Sequence, residues 1–341
     1  MRKSQEENVM ENKNCKAGMK IRTDLALEVR ESLPGDGGEV EGVLVQEWKE
    51  LDGLLRITEV MVETSEGASV MGKPIGTYLT IEAKTLAEKD EDFHQEVSKV
   101  LAVHIRRLMK KRRIGDPEED GGRAPAVLVV GLGNPAATPD SLGPKVLEHL
   151  QVTRHLSLEY GTEFCERNGY PVLSGLAPGV MAQTGMETAE IIRGVVKETK
   201  PDLILVVDAL AARSAKRLGT TIQLSDAGIH PGSGVGNHRN SLTEETMQIP
   251  VLALGVPTVI GAAAVVQDTM DAMIETLEHT VETKGYGQYL KELNREEQYQ
   301  LLSELLEADF GPMYVTPYDM DERVKVLSFT ISEAIHEALF R

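Results

Sequence analysis

Asp140 and Asp208 each follow a short apolar run, in the segments AVLVVGLGNPAATPDSLGPKV (residues 126–146) and DLILVVDALAARS (residues 202–214). Residues 127–130 and 203–207 are rich in β-branched side chains and almost free of polar ones, the pattern of strands buried on both faces of a parallel sheet. Such strands present functional groups at their carboxyl ends, in the crevice of an open α/β sheet. Two carboxylates delivered to one crevice repel each other, so one holds a proton while the other stays ionised. That pair can serve as general acid and general base on a water molecule. Each acid also has a plain structural use, as the cap of a helix starting near Leu142 or after Ala209.

The turn Gly131-Leu132-Gly133-Asn134 could cradle a phosphate with its backbone amides. It lacks the third glycine and the immediate helix of a dinucleotide site, because Pro135 and Pro139 lengthen the loop. The glycines let the chain leave the strand sharply and aim Asp140 back over its end. QLSDAGIHPGSGVG (residues 223–236) brings Asp226 and His230 to the same expected edge. A metal site would need Asp140, Asp208 and His230 to converge, and nothing in the spacing requires it. No cofactor and no metal are expected. The methionines and isoleucines at 181, 186, 191 and 192 read as core packing.

The elements that must position these groups follow from periodicity. Residues 39–48 and 54–63 alternate apolar and polar side chains around Asp52-Gly53, a hairpin with one wet face, and residues 77–83 form a third strand. Residues 92–111 have helical spacing and end in the basic cluster Arg106, Arg107, Lys110, Lys111, Arg112 and Arg113, which suits a helix dipole. Residues 115–125 read as a linker. Strands are expected at 127–131, 171–175, 203–207, 221–224 and 251–255. Helices are expected at 142–150, 185–198, 262–280, 295–307 and 317–339, with a loop over 282–294. Alternation of this kind predicts an α/β fold, a mainly parallel sheet with helices on both faces, and a small N-terminal β-hairpin/helix unit.

With 341 residues and a formal charge of −18, the chain suits one large α/β unit with a smaller one attached and is a poor candidate for binding nucleic acid. Its two cysteines, Cys15 and Cys165, give no disulfide framework. Residues 1–20 lack the apolar centre of a signal peptide, and no stretch is long enough to span a membrane. A cytoplasmic protein is expected. Residues 1–24 carry six Lys or Arg against four Asp or Glu, a slightly basic arm on an acidic body.

The loops together resemble the germination proteases of spore-forming bacteria, through IRTDLALE (residues 21–28), VVGLGNPAATPDSLGPKV, TRHL (153–156), PGVMAQTGMET (178–188), VDALAARS, QLSDAGIHPGSGVGN (223–237) and GVPTVI (255–260). Residues 282–294 look shorter than the corresponding insertion. The resemblance implies a fold similar to the hydrogenase-maturation endopeptidases and an aspartic-type endopeptidase of small acid-soluble spore proteins. Its essential acids correspond to Asp140 and Asp208. It implies metal-free catalysis, action in the spore core and assembly as a homotetramer. It also implies synthesis as a zymogen that removes its own propeptide, cutting after Glu or Asp, before an apolar residue followed by alanine. Thr23-Asp24-Leu25-Ala26 meets that rule, which places the self-cleavage at Asp24 and Leu25. The chain then divides into a propeptide (1–24), a β-rich unit (25–115) and a catalytic domain (126–341). A pocket that selects an acid calls for a partner to its charge, and Arg213, Lys145, Arg154 and His230 are the candidate cations. The competing readings are a zinc-dependent maturation-type peptidase on the same fold and a non-catalytic nucleotide- or peptide-binding module.

Overall fold

The computed structural model describes residues 23–33, 40–88, 90–115, 123–235, 240–279 and 295–340. Most of the basic arm, most of the linker expected at 115–125 and the loop expected at 282–294 lie outside these residues.

In chain order, helix α1 (Ala26–Ser32) precedes strands β1 (Val43–Glu50) and β2 (Leu55–Val62), helix α2 (Ser65–Met71), strand β3 (Gly76–Glu82) and the long helix α3 (Glu91–Lys111). Strand β4 (Ala126–Gly131), helices α4 (Leu142–His149), α5 (Arg154–Tyr160) and α6 (Thr162–Arg167), and strand β5 (Val172–Leu176) follow. Helices α7 (Met181–Thr184) and α8 (Thr188–Thr199) then lead to β6 (Leu203–Ala212), β7 (Thr221–Ser225), α9 (Glu244–Met247) and β8 (Val251–Gly261). Helices α10 (Ala262–His279), α11 (Arg295–Phe310) and α12 (Met320–Leu339) complete the chain.

The sheet runs in the order β1-β2-β3-β7-β8-β6-β4-β5. Strands β8, β6, β4 and β5 are mutually parallel. The hairpin β1–β2, with β3 and β7, extends that block by antiparallel pairing. The fold is therefore α/β as expected, and residues 43–82 share one sheet with β4 and β6. Alternating side chains of β4 and β6 separate the two faces. Leu128, Val130, Ile204 and Val206 join Ala189, Ile192 and Met247 of α8 and α9 in one buried cluster. On the other face α4 packs on β4 and β6, with α12 and then α3 behind it. A smaller cluster, with Ala26, Val43, Val60, Met71 and Tyr78, lies under α1 and α2 at the antiparallel end.

Local chemistry explains the boundaries. Asp90 caps α3 by accepting from the Phe93 N–H at 3.1 Å, Glu91 and Asp92 fill the first turn, and Lys110 and Lys111 the last, each charge matched to the dipole. The basic cluster is also spent on partners: Arg107 chelates Glu59, Lys111 pairs with the buried Asp226 at 2.9 Å, and Arg112 with Glu244 at 2.8 Å. Two strands run further than expected, β6 to Ala212 and β8 to Gly261. They continue to pair with each other beyond Asp208 and Gly255, through a register shift at Leu210/Ala211, and this pairing replaces the helix anticipated after Ala209. Met181 and Met186 are exposed, not core as the sequence suggests: Met181 opens α7, a single four-residue turn, and Met186 lies in the link between α7 and α8. The second unit, among the described residues, contains α10 and α11, joined by a Gln267-to-Gln298 side-chain hydrogen bond of 3.0 Å.

The joint between β4, α4 and β6 is backbone on backbone. A side chain at Gly143, in the first turn of α4, would overlap the main chain of Leu132 and Val207, and one at Gly131 would strike the Gly143 carbonyl. Gly143→Ala should therefore lower the unfolding free energy by about 2 kcal/mol or more, read as the shift of a urea-unfolding midpoint. An unchanged midpoint would refute this account of the joint.

Candidate active site

Asp140 ends a short 3-10 turn, Thr138–Asp140, in the β4–α4 connection. Its Oδ2 accepts the Asn134 N–H at 2.8 Å, so the carboxylate folds back onto the glycine turn instead of capping α4. Gly133 has φ +112° and lies so close to the Asp140 main chain that a side chain there would collide with it. Thr258 of β8 donates to the Pro139 carbonyl at 2.6 Å, which ties this loop to the sheet. Asp208 is only 6% exposed and lies within β6, where its Oδ1 accepts the Ala209 N–H at 2.9 Å. The last β4–β6 pair is Gly131 with Val207, and the Leu132 N–H donates to the Val207 carbonyl at 2.8 Å. Asp208 therefore lies one residue beyond the end of β4, beside the loop that carries Asp140.

Across the sheet, Asp208 pairs with Gly255, and Gly255 with Gln223 of β7. Leu210 fills the space a side chain at Gly255 would take. Thr23 and Asp24 lie against this end of the sheet. The Asp24 N–H donates to the Ala211 carbonyl at 3.0 Å. The Asp24 carboxylate accepts from the Ala211 N–H at 2.9 Å, the Ser233 hydroxyl at 2.6 Å and the Gly234 N–H at 2.8 Å. The Asp24 carbonyl accepts from Lys73 Nζ at 2.9 Å and Gln223 Nε2 at 3.3 Å, while Gln223 Oε1 accepts the Ala26 N–H at 2.8 Å. Leu25 and Ala26 are fully buried. Asp24, Lys73, Gln223 and Ser233 border a cavity of about 220 Å³, which Tyr78, Gly255 and His230 also line.

The model of the family described as germination protease matches residues 22–291, a span that includes both acids and the Asp24–Leu25 bond. A germination protease of Caldanaerobacter subterraneus subsp. tengcongensis is 43% identical over 324 residues, covering 94% of each chain. One from Clostridium tetani is 41% identical over 323 residues, covering 94% of this chain and 96% of the relative. One from Bacillus pumilus is 38% identical over 361 residues, covering 94% of each. The chain belongs to the germination protease family. It is thus a peptidase of spore germination, and among its described residues no helix is long and apolar enough to cross a membrane.

In this family member the expected cations do not supply the donors on the Asp24 carboxylate. Arg213 instead gives its backbone N–H to Glu28 at 2.7 Å. Lys145 lies in α4 and Arg154 at the start of α5, and both are partly buried. His230 lines the cavity, where partial burial and the charge of Lys73 push its imidazole below the usual histidine value, against the pull of Asp24. Burial likewise pushes the Lys73 ammonium down, while Asp24 and Glu28 act in the opposite sense. Glu28 is buried and accepts from Arg213 and Ser214 backbone N–H groups, Thr23 Oγ1 and Arg217. This knot fixes α1 to the end of β6. Among the described residues no three His, Cys, Asp or Glu side chains gather as a metal-binding group, so the zinc reading has no ligand set there.

Sequence reasoning missed Lys73, Gln223, Ser233 and Glu28. Gln223, Ser233 and Glu28 lay in motifs already singled out, but without this role; Lys73 sits in the ordinary-looking turn between α2 and β3.

His230 also gives a pH dependence. With its folded-state value depressed, the neutral ring contributes stability that is present above the ordinary histidine value of 6.5 and is lost as pH falls through the lower folded value. The melting temperature of the wild type should therefore fall more steeply on acidification below that pH than the melting temperature of His230→Asn. Parallel pH profiles would contradict this.

Proposed function

We propose that this chain is a zymogen that cuts its own Asp24–Leu25 bond and then, in the spore-core cytoplasm, degrades small acid-soluble spore proteins. It cuts after Glu or Asp, before an apolar residue followed by Ala. Residues 1–24 are the propeptide, and the mature chain, residues 25–341, assembles as a homotetramer without binding nucleic acid or membrane. The observation that supports this reading best is the environment of residues 24–26. An acidic side chain is met by three hydrogen-bond donors, while the leucine and alanine that follow are enclosed in apolar surroundings. The chain thus presents acid, apolar residue and alanine in the order that the proposed specificity demands.

In this mechanism Asp140 and Asp208 share the work on one water molecule. The ionised acid removes a proton as the water oxygen attacks the carbonyl carbon. The protonated acid gives its proton to the departing amine. Two acids that act on one water divide the roles between them, one ionised and one protonated.

Removal of the propeptide also follows from tethering. While covalently attached, residues 23 and 24 occupy the cleft at high effective concentration, and once cut they are held only by their own contacts. Their departure would open the space beside Gln223 and Ser233 to a protein substrate.

Mass spectrometry of the purified full-length chain during mild acid incubation should detect a new amino terminus at Leu25. Asp140→Asn and Asp208→Asn should each fold normally and reduce this cleavage by about 10⁴-fold or more, the order of loss when a catalytic acid or base is removed. Cleavage that persists at the wild-type rate in either variant would overturn the assignment.

A further inference from the structure

The inference that follows rests on the reading of Asp24–Leu25 as the cleaved bond. An acid–base pair explains how water attacks and how the amine leaves, but not what receives the negative charge that builds on the carbonyl oxygen. Lys73 and Gln223 meet that oxygen. Lys73 Nζ comes from the turn after α2 and lies 2.9 Å from the Asp24 carbonyl oxygen and 3.4 Å from that of Thr23. Gln223 comes from β7, on the opposite side of the sheet's central β8–β6 pair from β4. Its amide bridges the bond, donating to the Asp24 carbonyl and accepting from the Ala26 N–H. The lysine is not needed to neutralise the Asp24 side chain, because that carboxylate already has Ala211, Ser233 and Gly234 as donors. Its hydrogen bonds go to main-chain carbonyls.

We propose that Lys73 and Gln223 form the electrophilic half of the peptidase site, a two-donor hole for the oxyanion at the Asp24 carbonyl and at the equivalent carbonyl of protein substrates. Donors already in place where charge develops stabilise a transition state without reorganising, and more strongly in a cleft than in water. The step balances without any co-reactant. The water oxygen bonds to the Asp24 carbonyl carbon and one water proton goes to the ionised aspartate. The carbonyl π pair moves onto oxygen, between the Lys73 and Gln223 N–H groups. The pair then re-forms the carbonyl as the bond to Leu25 nitrogen breaks, and that nitrogen takes the proton of the second aspartate. The products are a carboxylic acid on residue 24, which passes its remaining proton to the amine freed on residue 25, and the two aspartates have exchanged protonation states. In this arrangement Lys73 and Gln223 are catalytic residues, since they touch the reacting carbonyl.

The test is the first-order rate of the 24–25 cut in the full-length chain, followed by mass spectrometry in Lys73→Met, Lys73→Arg, Lys73→Gln and Gln223→Leu. Lys73→Met should slow the cut by about 100- to 1000-fold, the usual loss on removing one such donor. Lys73→Arg and Lys73→Gln, which keep an N–H, should recover part of it, and Gln223→Leu should slow the cut by at least tenfold. Melting temperatures within a few degrees of wild type would show that the loss is not one of folding. If Lys73→Met does not fold, the ordering of Arg above Gln in rate carries the test. Wild-type cutting by Lys73→Met, or equal rates for Arg and Gln variants at the wild-type level, would overturn the proposal. The two readings fail differently. A wild-type chain that never yields Leu25 at its amino terminus removes the bond assignment itself. A chain silenced by Asp208→Asn but not by Lys73→Met removes only the oxyanion hole.

Discussion

A carboxylate taken out of water must find donors, and this requirement organises the end of the sheet. Asp24 and Glu28 lie one turn apart on the same short segment, and both turn inward. An unpaired buried carboxylate would cost several kcal/mol. Glu28 avoids that cost with two backbone N–H groups just past β6 and with Arg217. Asp24 avoids it with Ala211, Ser233 and Gly234. Four of these donors are backbone groups, three in β6 and the chain just past it and one, Gly234, in the turn that follows β7, so the segment can bind in one register only. Arg217 completes the arrangement. Burial works against its charge, but Glu31 and Glu82 join Glu28 around the guanidinium and hold its proton more firmly than usual.

That register decides which bond is presented. With the Asp24 side chain fixed, its carbonyl meets Lys73 and Gln223 and the following leucine and alanine are enclosed. Selection of an acid by neutral donors has a physical advantage over selection by a cation. Backbone N–H groups cannot swing away or be titrated, and they lose little entropy on binding. The charge that is present, on Lys73, is directed at the Asp24 carbonyl oxygen and away from its carboxylate.

The acids on the parallel strands depend on a different constraint, the close approach of main chains. Gly131, Gly133 and Gly143 allow the β4 loop, the first turn of α4 and β6 to touch without side chains between them. The loop then returns over the strand end, with Asp140 bonded to Asn134 and Asp208 one residue past the last β4–β6 pair. Substitutions at these glycines would move the acids by distorting the scaffold, with no change in the acids themselves.

Much of this was legible in the sequence. The apolar runs of β4 and β6, the alternation of the β1–β2 hairpin and the helical spacing of α3 each reflect a local rule, that a buried face must be apolar at the period of its element. The glycine turn and Asp140 were legible for the same reason, since a strand that must turn at once needs residues without a Cβ. The chain motif Thr23-Asp24-Leu25-Ala26 was visible as a pattern. Its partners were not. Lys73, Ser233 and Ala211 are separated from Asp24 by 49, 209 and 187 positions; Lys73 lies in no marked segment, and the segments holding the other two do not say which residue they meet. The sequence alone determined most of the elements and the family, and singled out two acids as candidates, because periodicity and motif are written along the chain. Tertiary structure alone decided that neutral donors hold the Asp24 acid and that a lysine meets its carbonyl, because those contacts exist only where antiparallel and parallel halves of one sheet bring distant loops to the same edge.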